Sequence, residues 1–136
     1  MAKTKVCLIV KNKKKELLLQ LRDEDPEIGK WVLFGGGVKK DETIELALAR
    51  EIKEELDYKI KSTEFFGEYE DKGIKQMIYV LNEPVELNDL KLGEGLSMQF
   101  FTPTEINNLN VGLTSSKFYP TIIKLTVCKL NEIMIL

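Results

Sequence analysis

Histidine is absent from the 136 residues. Its absence excludes Ser-His-Asp triads, Cys-His nucleophiles, His-ligated zinc and imidazole acid–base chemistry. Proton transfer is left to Glu, Asp, Lys, Tyr or a metal-activated water. Cysteine is scarce too. Cys7 and Cys128 stand near opposite ends of the chain and form no C-x-x-C pair, so neither a disulfide framework nor a thiolate metal site is indicated. Their apolar neighbours (Val6, Leu8 and Val127) mark them as small buried side chains. No apolar run approaches the roughly 18 residues of a membrane span. Met1-Ala-Lys-Thr-Lys leads directly into a strand-like stretch, without the apolar segment of a signal peptide. A cytoplasmic protein that contacts no membrane is expected. Neither sign of charge dominates, with 20 basic and 22 acidic residues. No basic face stands out, which argues against a nucleic-acid polymer as partner.

What is present suits one domain spanning 1–136, because no repeat, low-complexity tract or linker divides the chain. Val6–Val10 and Glu16–Arg22 read as strands joined by the basic turn Lys11-Asn-Lys-Lys-Lys, a hairpin. Asp23–Lys30 is a polar loop, and Trp31–Phe34 is a short apolar strand ending at Gly35-Gly36-Gly37. Thr43–Leu56 has neither Gly nor Pro and is the clearest helix. Thr63–Glu70 and Ile74–Leu81 form a hairpin about Asp71-Lys-Gly, and Leu96–Thr102 is a further strand. Pro103–Asn108 begins a short helix with Thr102 as N-cap and Glu105 completing a capping box. Phe118–Glu132 is read as a terminal helix. Strands interleaved with helices predict an α/β fold, a mixed sheet with helices packed on it.

Chemistry concentrates between Gly36 and Glu55. With Ile44 set at zero and about 100° per residue, Leu48, Ile52 and Leu56 centre an apolar stripe near about 60°. Arg50, at about 240°, lies opposite, as a solvated residue should. Glu55, at about 20°, falls inside the stripe, Glu51, at about 340°, on its edge, and Glu54, at about 280°, beside them. Carboxylates three and four apart repel, and drawing them towards a core raises the cost. A hard divalent cation removes both penalties. Three carboxylates beside a turn of backbone carbonyls suit Mg²⁺ or Mn²⁺ better than zinc.

Gly36, Glu42, Arg50, Glu51, Ile52, Glu54 and Glu55 match seven of the nine defined positions of G-x5-E-x7-R-E-U-x-E-E-x-G-U, where U is bulky and aliphatic. In this the chain resembles the Nudix hydrolases, of MutT-like type. Their six strict identities would coincide by chance on the order of once in 10⁶ windows at ordinary composition. Asp57 and Tyr58 stand where the box has Gly and an aliphatic residue. The resemblance implies the Nudix fold, an α/β/α sandwich with a mixed, mostly antiparallel-edged β-sheet. It implies hydrolysis of a phosphoanhydride in a nucleoside diphosphate linked to another group, with a nucleoside triphosphate or nucleotide sugar as substrate. It implies that Glu51, Glu54 and Glu55, with the Gly35 or Gly36 carbonyl, hold Mg²⁺ or Mn²⁺, and that Glu42 and Arg50 brace the loop and helix. Glu94, in Leu92-Gly-Glu-Gly-Leu96, is the candidate for a further ligand or base; a plain turn residue is the other reading. Arg22 is a candidate for the phosphates and Phe34 for a base, against a surface ion pair and a core position. A silent nucleotide-binding regulatory module is the alternative to an enzyme, and both monomer and homodimer are left open.

Overall fold

The computed structural model describes residues 3–23, 28–71, 73–93 and 97–108. Among them run β1 (Lys3–Ile9), β2 (Leu17–Leu21), β3 (Trp31–Val32), β4 (Phe34–Gly37), α1 (Ile44–Leu56), β5 (Thr63–Asp71), β6 (Ile74–Leu81), β7 (Ser97–Phe101) and α2 (Pro103–Asn107). The α/β class holds, and the strands divide into two sheets. One is mixed, in the order β4-β1-β6-β5, with β1 parallel to β6. The other is antiparallel, in the order β3-β2-β7.

The layering follows from β1. Every residue from Val6 to Val10 is buried, the mark of a strand covered on both faces. Cys7 and Ile9 point into one core with Leu17, Leu19, Ile78 and Phe101. Val6, Leu8 and Val10 point into another with Phe34, Leu48, Ile52 and Leu56 of α1. β2 is apolar on both faces as well, with Leu17, Leu18 and Leu19 all buried. The hairpin expected between the two strands therefore pairs only at its neck, Lys11 against Leu17, before they part into different sheets. Its basic turn is not wholly solvated. Asn12 is buried, donating to Glu16 Oε1 at 2.7 Å and accepting from the Glu16 N–H at 2.9 Å.

The single strand read over Trp31–Phe34 is two, because the chain crosses between sheets at Leu33. Nor does it stop at the glycines. β4 runs through them, pairing Gly35 with Cys7 and Gly36 with Val6. Gly35 has φ +149°, and a Cβ there would strike the Val6 carbonyl oxygen and lie 2.8 Å from the Cys7 Cα. Only glycine lets these backbones approach so closely.

Helix α1 starts where expected. Thr43 Oγ1 accepts from the Leu46 N–H at 3.2 Å, satisfying one orphan donor. At its end Asp57 is left-handed, φ 50° and ψ 41°. The Lys91 and Gly93 N–H groups donate to the Leu56 and Glu55 carbonyls at 2.9 and 2.7 Å, pinning a distant loop to the helix terminus. The hairpin of β5 and β6, strand β7, and α2 with its Thr102–Glu105 capping box form as read from the sequence. The helix read over Phe118–Glu132 lies outside the described residues, as do Cys128 and Glu94. No described helix is long and apolar enough to cross a membrane.

Candidate active site

Strand periodicity decides which glycine groups face α1. The Val38 N–H donates to the Thr4 carbonyl at 3.0 Å. Residues 34, 36 and 38 thus turn their main-chain groups to β1, and Gly35 and Gly37 turn theirs out from the sheet edge. There the Gly35 N–H donates to Glu55 Oε1 at 2.9 Å, and the Gly37 carbonyl accepts from Arg50 Nη2 at 3.0 Å. Gly36 serves by having no side chain. A Cβ there would lie 2.5 Å from Glu51 Oε1, so the Glu51 carboxylate fills that space.

Arg50 does not stay on the solvated side of α1. It folds over the loop, Nε donating to Glu42 Oε2 at 2.8 Å and Nη2 to Glu42 Oε1 at 2.9 Å, a bidentate pair. Its Nη1 reaches Glu51 Oε1 at 2.8 Å. The Arg50 hydrogen bonds, helped by the Lys39 N–H at 3.0 Å, hold the Glu42 carboxyl down at about 2. One guanidinium thus ties the loop, the β4 edge and the first helix carboxylate together.

The three helix carboxylates differ in surroundings. Glu54 is 57% exposed and Glu51 16%. Glu55 is the most desolvated: burial pushes its pKa up to about 7, overriding hydrogen bonds from Gln20 Nε2 at 3.1 Å and from Gly35. The three share one side of α1, yet among the described residues no three acidic side chains gather as a ready cage. Arg50 draws Glu51 one way, and Gly35 with Gln20 draws Glu55 another. The donor set is nonetheless all hard oxygen, without sulfur or imidazole, and its most buried member is one whose ionised form a neighbouring cation would restore. That chemistry fits Mg²⁺ or Mn²⁺.

The remaining candidates separate. Phe34 is 0% exposed beneath α1, a core side chain that no base can stack on. Arg22 directly follows β2, its N–H on the Lys30 carbonyl at 2.9 Å, and lies within electrostatic reach of Lys5 on β1. Glu94 has no described position. The residue before it, Gly93, packs so closely on the Glu54 carbonyl oxygen that a Cβ would collide. Its glycine therefore serves contact with the α1 backbone. Gln20 was missed from the sequence. The visible signal was a polar side chain interrupting Leu-Leu-Leu-Gln-Leu. Tyr58, a departure from the box, is accommodated: its ring packs in the α1 core and its hydroxyl donates to Glu83 Oε2 at 2.6 Å.

This arrangement has counterparts. The NUDIX domain family model matches residues 1–122. The nucleoside triphosphatase NudI of Escherichia coli O81 (strain ED1a) is 37% identical over 106 residues, covering 68% of this chain and 75% of that protein. In fold, the MutT protein from Methanosarcina mazei Go1 gives a TM-score of 0.76 at 23% identity, over 96% of this chain and 93% of that one. The NUDIX domain of Shewanella oneidensis NrtR complexed with ADP ribose gives 0.75 at 14% identity, over 96% and 89%. With the box residues assembled on the loop and helix that carry them, the chain belongs to the Nudix hydrolase family and is a pyrophosphohydrolase of nucleoside phosphoanhydrides.

Proposed function

We propose that the chain hydrolyses a nucleoside triphosphate to the monophosphate and pyrophosphate, with Mg²⁺ or Mn²⁺ held by Glu51, Glu54, Glu55 and the Gly35 carbonyl. The observation that carries this is the interlock at the β4 edge, where Gly35 grips Glu55, Gly36 makes room for Glu51, and Arg50 clasps Glu42 and Glu51. Nudix hydrolases generally require a divalent cation, and the triphosphatase activity named for the Escherichia coli relative supports a triphosphate. The outward turn of Gly35 favours its carbonyl over that of Gly36, which points to β1.

The bound cation would neutralise the pyrophosphate and lower the pKa of the attacking water. The protein's own groups do the rest. Arg50 and Glu42 hold the loop at a fixed height above α1, so the carboxylates need no reorganisation at the moment of reaction. Gln20 fixes the Glu55 carboxylate from the second sheet. Arg22, just after β2, would set positive charge where the phosphates enter. Glu94 is assigned as the further ligand or base, supported by the Gly93 anchor beside Glu54 and Glu55. The reading includes one domain over 1–136 that acts in the cytoplasm on small nucleotides.

The test is a screen of nucleoside triphosphates, nucleotide sugars and dinucleotides with Mg²⁺ or Mn²⁺, following nucleoside monophosphate and pyrophosphate. Turnover of triphosphates that chelation abolishes is expected. Tight nucleotide binding without turnover would instead select the silent regulatory module. Turnover confined to nucleotide sugars would move the substrate and leave the site assignment standing.

A further inference from the structure

Glu54 and Glu55 stand on the last turn of α1, which Leu56 closes. Two forces work against order there. The last carbonyls of a helix have no partner within it, so the turn frays. Those carbonyls also form the negative end of the helix dipole, which disfavours carboxylates beside them. The local cap, left-handed Asp57, serves one carbonyl: its N–H donates to Lys53 at 3.0 Å. The next three are met by a segment from far along the chain. The Lys91 N–H donates to the Leu56 carbonyl at 2.9 Å, and the Gly93 N–H to the Glu55 carbonyl at 2.7 Å. Gly93 also lies so close over the Glu54 carbonyl oxygen that a Cβ would collide with it. Leu90 and Leu92, at the alternate positions, pack against the core beneath α1. Apolar contact thus seats the segment while its N–H groups face the helix end.

We propose that Gly93 is a positioning residue for the metal site: residues 90–93 cap α1 from outside the helix and fix the turn that carries Glu54 and Glu55. The N–H groups of Lys91 and Gly93 set positive partial charge against the negative helix end, where these carboxylates lie. They also tie the two carbonyls to a seated segment, so the carboxylates are held in place before a cation arrives. Glycine is required because any Cβ lifts the segment off the helix backbone and takes both donors with it. Gly93 meets the main chain of Glu54 and Glu55 and acts through them. The inference rests on the metal site proposed above and is independent of which nucleotide is cleaved.

The experiment measures Mn²⁺ binding by electron paramagnetic resonance, without substrate, in the wild type, Gly93→Ala, Leu92→Ala and Ile106→Val. Ile106 is buried in the other core, between the sheets, and its truncation is the control for lost stability alone. Gly93→Ala should weaken Mn²⁺ binding roughly 10- to 100-fold, the range for groups that orient metal ligands. It should also speed hydrogen exchange at the amides of the last turn of α1. Leu92→Ala loosens the seat but keeps the glycine, and should weaken binding by roughly three- to tenfold. Ile106→Val should stay within about twofold of the wild type, being distant from the helix end. A folded Gly93→Ala that binds Mn²⁺ as the wild type does overturns the proposal, and so does an equal loss in Ile106→Val. If Gly93→Ala does not fold, Leu92→Ala decides alone, and unchanged affinity there overturns it. A folded wild type that binds no Mn²⁺ would mean that the metal site itself has failed, and this inference with it.

Discussion

Glu55 concentrates the site's physical tension. Burial lifts its folded pKa from the ordinary 4.5 to about 7. Between those values the folded state therefore holds a proton that the unfolded chain has released. Stability should fall as pH rises through that window, and the cost should be fully present above about 7. In chelator, Glu55→Gln should be more stable than the wild type at pH 8, by an amount on the order of 3 kcal/mol at most, and the gap should close towards pH 4.5. Urea unfolding across that range checks it; a gap independent of pH would mean Glu55 is not desolvated. With metal and substrate, Glu55→Gln or Glu54→Gln should lower kcat on the order of 10²–10⁴-fold. The neighbouring glycines separate two kinds of damage. Gly35→Ala sets a Cβ against backbone at φ +149° and should destabilise by about 2 kcal/mol or more. Gly36→Ala meets only the end of the Glu51 side chain, which can swing aside. It should cost less than about 1 kcal/mol in stability yet roughly 10- to 100-fold in activity. Thermal unfolding beside kinetics distinguishes them.

At the level of elements, α1 is held at both ends by identifiable contacts. Thr43→Ala removes the Oγ1 acceptor at Leu46 and should cost about 1 kcal/mol, read by urea unfolding. Asp57 is the left-handed residue that a glycine occupies in the family box, and its negative charge faces the negative helix end. The Lys53 ammonium donates to Asp57 Oδ1 at 2.6 Å, in an exposed pair. Exposed pairs of this spacing contribute little. Asp57→Gly should therefore raise the urea midpoint slightly and leave kcat within about twofold. A clear loss of stability would show that the Lys53 contact outweighs the strain and the dipole.

For the whole molecule, the candidate site joins the two sheets and the helix. Glu55 is gripped from β4 and from Gln20 on β2, so occupation of the proposed metal site should stabilise the fold as a unit. Mg²⁺ at about 100 times its dissociation constant should add about 2.7 kcal/mol, and chelation should remove it. Scanning calorimetry with and without metal checks this, and Glu54→Gln should shrink the difference. An identical midpoint in both conditions would remove these carboxylates from metal binding.

Much of this was legible in residue order, because helical period, capping and box spacing are local. The Glu51–Glu55 face and the Thr102–Glu105 box follow from separations of a few residues, and the Glu42–Arg50 pair was implied by the resemblance to the Nudix box. What needed the fold are contacts between residues far apart in the chain. Leu17–Leu19 and Val6–Val10 each look like half of a hairpin, and only the need to cover both faces of each strand sends them into different sheets. Phe34 sits beside the glycines in sequence, yet strand alternation turns it under α1. Gln20 reaches Glu55 through sheet packing alone, and the polar interruption of Leu-Leu-Leu-Gln-Leu marks the residue without naming its partner. Local spacing is set by bond geometry and therefore determined the helix that carries the box; the surroundings of Glu55 are set by which surfaces exclude water, and the tertiary structure alone decided that.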